Sequence, residues 1–298
     1  MARTLAPGQQ TEITIGFTDG RPPELVHRSS EVLLEAPNWT VDGEALIVNG
    51  DGVLWRLPVA GGEPVRIALD VPELNNDHVL HPDGEQVVVS ANDGHLYLGS
   101  LSGGAARRIT DDHRTDHGRR FFHFLHGISP DGRTLASIGL ELGADGWTGA
   151  RTADVYLVDV ATGAETRLTH GEALTDGCEF SPDGEWIYLN TEAFARRPGH
   201  AQIARMRPDG SGLEQLTDDD RVNWFPHWEP SGRLATFISF PTGTEGHPAD
   251  LPVELKLVRD HDWAGAETVV SLFGGQGTIN VNSWAPTGDR FGYVAYPV

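Results

Sequence analysis

The chain has 298 residues, 36 of them glycine and 19 proline, with a formal net charge of −21. That charge repels nucleic acid and anionic membrane surfaces, so neither is an expected partner. No apolar run approaches the roughly 18 residues a membrane helix needs, and the single cysteine, Cys178, can form neither an intrachain disulfide nor a cysteine zinc site.

The N-terminal stretch "MARTLAPGQQTEITIGF" has no apolar core of the kind a secretion signal carries, so the expected location is the cytoplasm. Two strands follow, "TEITIGFT" and "ELVHRSS", joined by a turn at "DGRPP". From there the chain repeats. Six turn marks occur: "TVDG" (40–43), "HPDG" (81–84), "SPDG" (129–132), "SPDG" (181–184), "EPSG" (229–232) and "APTG" (285–288). Their glycines are 41, 48, 52, 48 and 56 residues apart. Each turn precedes a short run rich in β-branched and aromatic residues, from "EALIVNG" through "EWIYLNT" to "RFGYVAY". A third run follows in five units, for example "DVYLVDV", and a fourth, for example "ETRLTHG". The joints "AGGE", "SGGA", "ATGA" and "PDGSG" are hairpin chemistry.

Four antiparallel strands in roughly 40–50 residues is the propeller period. The expected fold is therefore all-β, a six-bladed β-propeller of four-stranded antiparallel blades in a single domain spanning 1–298. The sixth unit ends after two strands, and the N-terminal pair completes it, two plus two, which removes exposed sheet edges. The expected divisions are 1–30 for the outer strands of the closing blade, then 31–70, 71–113, 114–170, 171–219 and 220–274 for blades one to five. Residues 275–298 supply the inner strands of the closing blade.

The repeated "SPDG" followed by an apolar strand resembles the PD40-type repeats of TolB-like six-bladed propellers, over nearly the whole chain. A weaker resemblance is to the oligogalacturonate lyases, histidine-rich propellers that use a metal in the central channel. The first resemblance implies the fold. The second implies metal-assisted elimination or hydrolysis of a saccharide-like molecule.

In such propellers the "SPDG" turns lie on one face. The residues opening each first strand, and the loops between second and third strands, lie on the other, where binding surfaces form. Two residues before each turn's proline position stand Trp39, Leu80, Ile128, Phe180, Trp228 and Trp284, all large and apolar, as inter-blade packing requires. Further back the residues turn polar: "NNDH" (75–78), "HFLH" (123–126), "TDGCE" (175–179), "NWFPH" (223–227) and "NVNS" (280–283). His78, His126, His200 and His247 are candidate ligands for one divalent metal ion, with Mn, Ca, Zn and Ni not distinguished; neutral imidazole is a borderline ligand suited to Mn, Fe, Ni or Zn. Glu179 and His227 occupy equivalent positions of neighbouring blades. With Asp176 they are the candidate acid–base groups, a structural inter-blade hydrogen bond being the other reading. Asn76, Asn223, Trp224, Asn280, Asn282 and Arg119 are candidate substrate contacts. Cys178 reads as an inert core residue. No phosphate loop, dinucleotide fingerprint or nucleophile elbow is present, so no nucleotide cofactor is expected. Two functions stay open: a metal-assisted lyase or hydrolase acting on a saccharide-like ligand, and a non-catalytic propeller that binds a ligand or a protein on its top face.

Overall fold

The computed structural model describes residues 3–113, 120–146 and 151–298. Among these residues there is no α-helix, and no helix long and apolar enough to cross a membrane. Blade one is Leu34–Trp39, Ala45–Gly50, Val53–Pro58 and Val65–Ile67. Blade two is Leu74–Leu80, Gln86–Ala91, Leu96–Ser100 and Arg107–Arg108, and blade three Arg120–Ile128, Thr134–Leu142, Arg151–Asp159 and Glu165–Arg167. Blade four is Thr175–Phe180, Ile187–Thr191, Gln202–Met206 and Glu214–Gln215. Blade five is Val222–Trp228, Leu234–Phe240, Leu251–Arg259 and Glu267–Gly274. Each is an antiparallel sheet ordered as in sequence.

The six turn glycines, Gly43, Gly84, Gly132, Gly184, Gly232 and Gly288, all sit at φ between 70° and 75°. Only glycine takes that conformation without a steric cost. Where Ser or Thr opens the turn, its hydroxyl donates to the turn aspartate, as Ser129 does to Asp131 at 2.6 Å and Ser181 to Asp183 at 2.5 Å.

The ring closes as expected. Thr11–Phe17 pairs with Arg290–Ala295 on one side and Glu24–Ser29 on the other. The innermost strand of this blade differs from expectation: it is reduced to a single bridge between Trp284 and Phe291. The reason lies in where its carbonyls point. Those of Gly277, Ile279, Asn280 and Asn282 accept from Ala36 N, His227 Nε2, His126 Nδ1 and Asn38 Nδ2, all on other blades. Acceptors committed to the channel are not available to a strand ladder.

Six apolar clusters form among the described residues, one at each blade boundary. Trp39, Leu80, Ile128, Phe180, Trp228 and Trp284 each belong to a different one. Packing is thus repeated between neighbours, and ring closure supplies the sixth contact.

A second regularity matters more for the channel. In blades one to five, pairing of the first strand with the second shifts register, between Glu35 and Asn38, Leu74 and His78, Leu125 and Gly127, Asp176 and Glu179, and Trp224 and His227. The bulge residue is left-handed in blades one, four and five: Ala36 at φ 53°, Gly177 at 58° and Phe225 at 54°. Such bulges bend a strand and re-aim its side chains.

Closure at the N-terminal strand sets the stability of the ring. Ile13 is fully buried there, and Leu25 on the outermost strand is about half exposed. Ile13→Ala is expected to cost about 2–5 kcal/mol by urea denaturation, and Leu25→Ala about 0.5 kcal/mol or less.

Candidate functional site

The bulges divide the channel into two layers. The upper layer borders a cavity of about 460 Å³ lined by the openings of first strands and by the second-to-third-strand loops. The lower layer borders a mouth of about 380 Å³ rimmed by the turn residues Val41, Pro82, Pro130, Pro182 and Pro230. His126 touches both.

At the floor of the upper cavity His126 lies between two carboxylates. Its Nε2 is 2.8 Å from Asp176 Oδ1, and its Nδ1 donates to the Asn280 carbonyl at 3.3 Å. Burial opposes a charge on this ring, but Asp176 and Asp77 outweigh it and raise the pKa to about 9. Both nitrogens facing acceptors describe an imidazolium. Burial would raise Asp176, and the charged His126 brings it below its ordinary range. Asp77 goes the other way: burial, only partly offset by His126, pushes it up to about 7. One fold thus holds two carboxyls near a single cation in opposite states, a pattern found where protons are handled. His247 completes the group from the blade-five loop. Its Nε2 is 3.8 Å from Asp176 Oδ2, and its ring packs on Trp224 with centroids 4.5 Å apart.

Seven buried side-chain atoms of residues lining this cavity have no hydrogen-bond partner among the described residues: Asn76 Nδ2, Asp77 Oδ1, Asn190 Nδ2, Trp224 Nε1, His247 Nδ1, Gln276 Oε1 and His126 Nε2, the last of which has only its ion pair with Asp176. Buried polar groups seldom remain so, since each costs about 1–3 kcal/mol unsatisfied.

The lower layer holds a clamp that is closed on itself. His227 Nδ1 meets Glu179 Oε2 at 2.6 Å, and its Nε2 donates to the Ile279 carbonyl at 2.7 Å. Glu179 Oε1 accepts from Trp228 N at 3.1 Å and from Asn282 Nδ2 at 2.7 Å. This clamp spans blades four, five and six with its acceptors filled, the arrangement of a structural inter-blade bond.

The residues singled out from sequence therefore part company. Asn76, Asp176, Trp224, Asn280, His126 and His247 line the upper cavity. Glu179 and Asn282 line the lower mouth, with His227 beside them. Asn223 lies in neither: its side chain bonds Ser239 and Gln202 inside blade five's boundary. Arg119 falls outside the described residues. The four histidines do not meet. His78 is enclosed against the Ile47 carbonyl, with burial lowering its pKa to about 4. His200 ties its own loop, accepting from Arg196 N at 3.2 Å and donating to the Asp219 carbonyl at 2.8 Å. Of the four, only His126 and His247 line the upper cavity, and among the described residues the channel brings no three metal-type donors together, so it does not fit a histidine-rich metal site. Cys178 is fully buried and its thiol is pushed up by burial, as expected of an inert core residue.

Asp77, Asn190, Gln276 and Arg151 also line the cavity and were not singled out by sequence. Asp77 had a signal: it sits in the "NNDH" run, five residues before its turn proline, where blade four has Gly177 and blade five Phe225.

The pH dependence follows. His126 has a folded pKa above the ordinary value of about 6.5, so its stabilisation is complete below that value and is lost as pH rises through about 9. Asp77 acts in the same sense, since ionising it between about 4 and about 7 opposes folding. Thermal melts are expected to fall as pH is raised from neutrality through about 9. In Asp176→Asn the His126 ring, followed by NMR, is expected to titrate roughly one unit or more lower.

No family model matches the chain. An uncharacterized protein of Agrobacterium fabrum is 40% identical over 270 residues, covering 89% of this chain and 85% of that protein. A solved structure from Agrobacterium tumefaciens, provisionally named TolB, is 37% identical, with a TM-score of 0.86 over 98% of this chain and 100% of its own. An oligogalacturonate lyase in complex with manganese shares the fold at TM-score 0.59, with 13% identity over 91% of this chain and 75% of its own. The chain belongs to the TolB-like family of six-bladed β-propellers.

Proposed function

We propose that this propeller binds a small polyhydroxylated molecule, saccharide-like and neutral, in the upper cavity. The observation that carries this reading is the convergence of Asn76 Nδ2, Asn190 Nδ2 and Trp224 Nε1, three unpartnered donors, with the unpartnered acceptor Asp77 Oδ1 on one cavity. Hydroxyl groups accept from the first three and donate to the fourth. The Trp224 ring adds an apolar face of the kind that packs against a sugar. Charge selects against a polyanion: Asp77, Asp176, Glu192 and Glu245 line the cavity against Arg151 and the His126 imidazolium. A protein partner on this face is less well supported. The exposed apolar side chains Leu25, Val65, Val269 and Phe273 stand on outermost strands, away from the cavity.

A second reading makes the site catalytic, as a lyase or hydrolase, and one observation favours it. Asp77 is a buried carboxyl whose pKa is raised to about 7, beside the cation His126. A carboxyl near neutrality can take a proton from a bound group and return it, and the His126 charge would steady the anion formed meanwhile. Among the described residues the channel gathers no three metal-type donors, so no step here is routed through a metal.

Saturation-transfer NMR and calorimetry against a panel of neutral sugars and polyols test the binding reading. The variant Asn76→Ala, whose Nδ2 has no partner within the protein, is expected to keep the melting temperature and to weaken binding roughly two- to tenfold, as one hydrogen bond of about 0.5–1.5 kcal/mol implies. Wild-type protein that binds none of the panel at millimolar concentration, or a variant that binds as well as wild type, sinks the reading.

A further inference from the structure

Outside both cavities, between blades two and three, three ligand-type side chains point at one spot. His113 comes from the linker after blade two, His123 from the first strand of blade three, and Glu165 from its outermost strand. His113 Nε2 lies 2.9 Å from Glu165 Oε2. His123 Nε2 lies 3.3 Å from Glu165 Oε1 and 3.3 Å from His113 Nε2. We infer that this cluster is a site for one divalent transition ion of zinc-like character, held by His113 Nε2, His123 Nε2 and Glu165, with a fourth position open to solvent.

The spacing fits first. Bonds of about 2.0–2.1 Å in a tetrahedral centre put neighbouring donors about 3.3–3.4 Å apart. Here the two imidazole nitrogens are 3.3 Å apart, each faces its own oxygen of Glu165 at 2.9 and 3.3 Å, and one ligand atom from each of the three residues lies within 4.8 Å of the other two.

Proton counting fits second. Two imidazole nitrogens face each other and the same carboxylate. If both carry protons to reach Glu165, the two N–H groups oppose each other. If only one does, the other nitrogen faces the carboxylate lone pair to lone pair. A cation at the shared point removes the conflict, because all three donors then offer lone pairs to it.

The surroundings preset the rings, as outer partners do around metal ligands. His123 Nδ1 is 3.3 Å from Ser137 Oγ. His113 stacks on Phe121 at a centroid distance of 3.6 Å and 11° between planes, and Tyr156 meets both histidines edge-on. Side-chain exposures of 27% for His113, 16% for Glu165 and 0% for His123 leave entry from solvent on the His113 side. The strongly negative chain draws cations to its surface. This inference is independent of what occupies the upper cavity.

Cobalt titration of the metal-stripped full-length protein tests it. One equivalent of Co²⁺ is expected to give the intense visible absorption of a tetrahedral centre, and Zn²⁺ to displace it. His113→Ala, at a partly exposed position, and the isosteric Glu165→Gln are each expected to abolish the absorption, while His126→Ala and His247→Ala keep it. Zn²⁺ should raise the melting temperature of wild type and not of His113→Ala. No tetrahedral absorption in wild type, or the same titration in His113→Ala and Glu165→Gln, overturns the proposal and leaves a proton-sharing network only.

Discussion

Everything in the channel depends on the bulge that interrupts the first strand of blades one to five. A regular strand alternates its side chains between two faces, so residues two apart would share a fate along its whole length. Here the pairing skips just before the turn in each blade, at the same aligned place in blades one, four and five and shifted slightly in blades two and three, and the alternation resets. Asp77 and His126 are themselves among the residues skipped, and both reach the cavity. The conformation is held from the next blade: Phe225 N donates to Asn190 Oδ1 at 3.2 Å and Ala36 N to the Gly277 carbonyl at 2.7 Å. A left-handed phenylalanine or alanine is costly in isolation. Neighbouring blades that satisfy the exposed amide are what make it tolerable, so the bulge and the ring support each other.

The incomplete innermost strand of the closing blade is the other half of this arrangement. By leaving the ladder, the 277–282 segment turns its carbonyls to Ala36, His227, His126 and Asn38. One irregular segment thereby anchors the lower clamp of Glu179 and His227 and orients the upper imidazolium of His126. Below the bulge, the Glu179–His227–Asn282 clamp matches its polar groups with one another and serves cohesion, although Trp39 Nε1 and Trp228 Nε1 lack partners there. Above it, several are left facing a cavity, and function belongs there. The separation is physical: a satisfied buried network contributes rigidity, and an unsatisfied one demands a partner.

The chain's histidines illustrate how little a residue type settles alone. His78 is enclosed and disfavours its charged form; His126 is enclosed and retains it. They occupy aligned positions of adjacent blades. What separates them is the presence of Asp176 and Asp77 around one and a lone backbone carbonyl beside the other. The His113–His123–Glu165 group makes the same point from the opposite side, since its members lie in different strands and a linker and are gathered only by packing between blades two and three.

The fold was legible in the sequence because it rests on local chemistry repeated six times. Turn glycines required at positive φ, short β-branched runs and a large apolar residue before each turn each declare a strand pair without reference to distant residues. The closing of the ring by Thr11–Phe17 followed from counting strands. Half of the candidate site was legible too, since Asn76, Asp176, Trp224, Asn280, His126 and His247 do line one cavity. The remainder was not, because a bulge leaves no mark in a hydrophobic pattern and yet reverses which way the following residues face. It sent Glu179 and His227 to the lower layer and brought Asp77 into the upper one, while Asn282 reaches the lower layer from the irregular segment of the closing blade. Sequence by itself determined the blades, their order and their inter-blade packing residues. Only the tertiary structure decided which polar groups find partners within the protein and which are left to meet something else, because that depends on contacts between blades far apart in the chain.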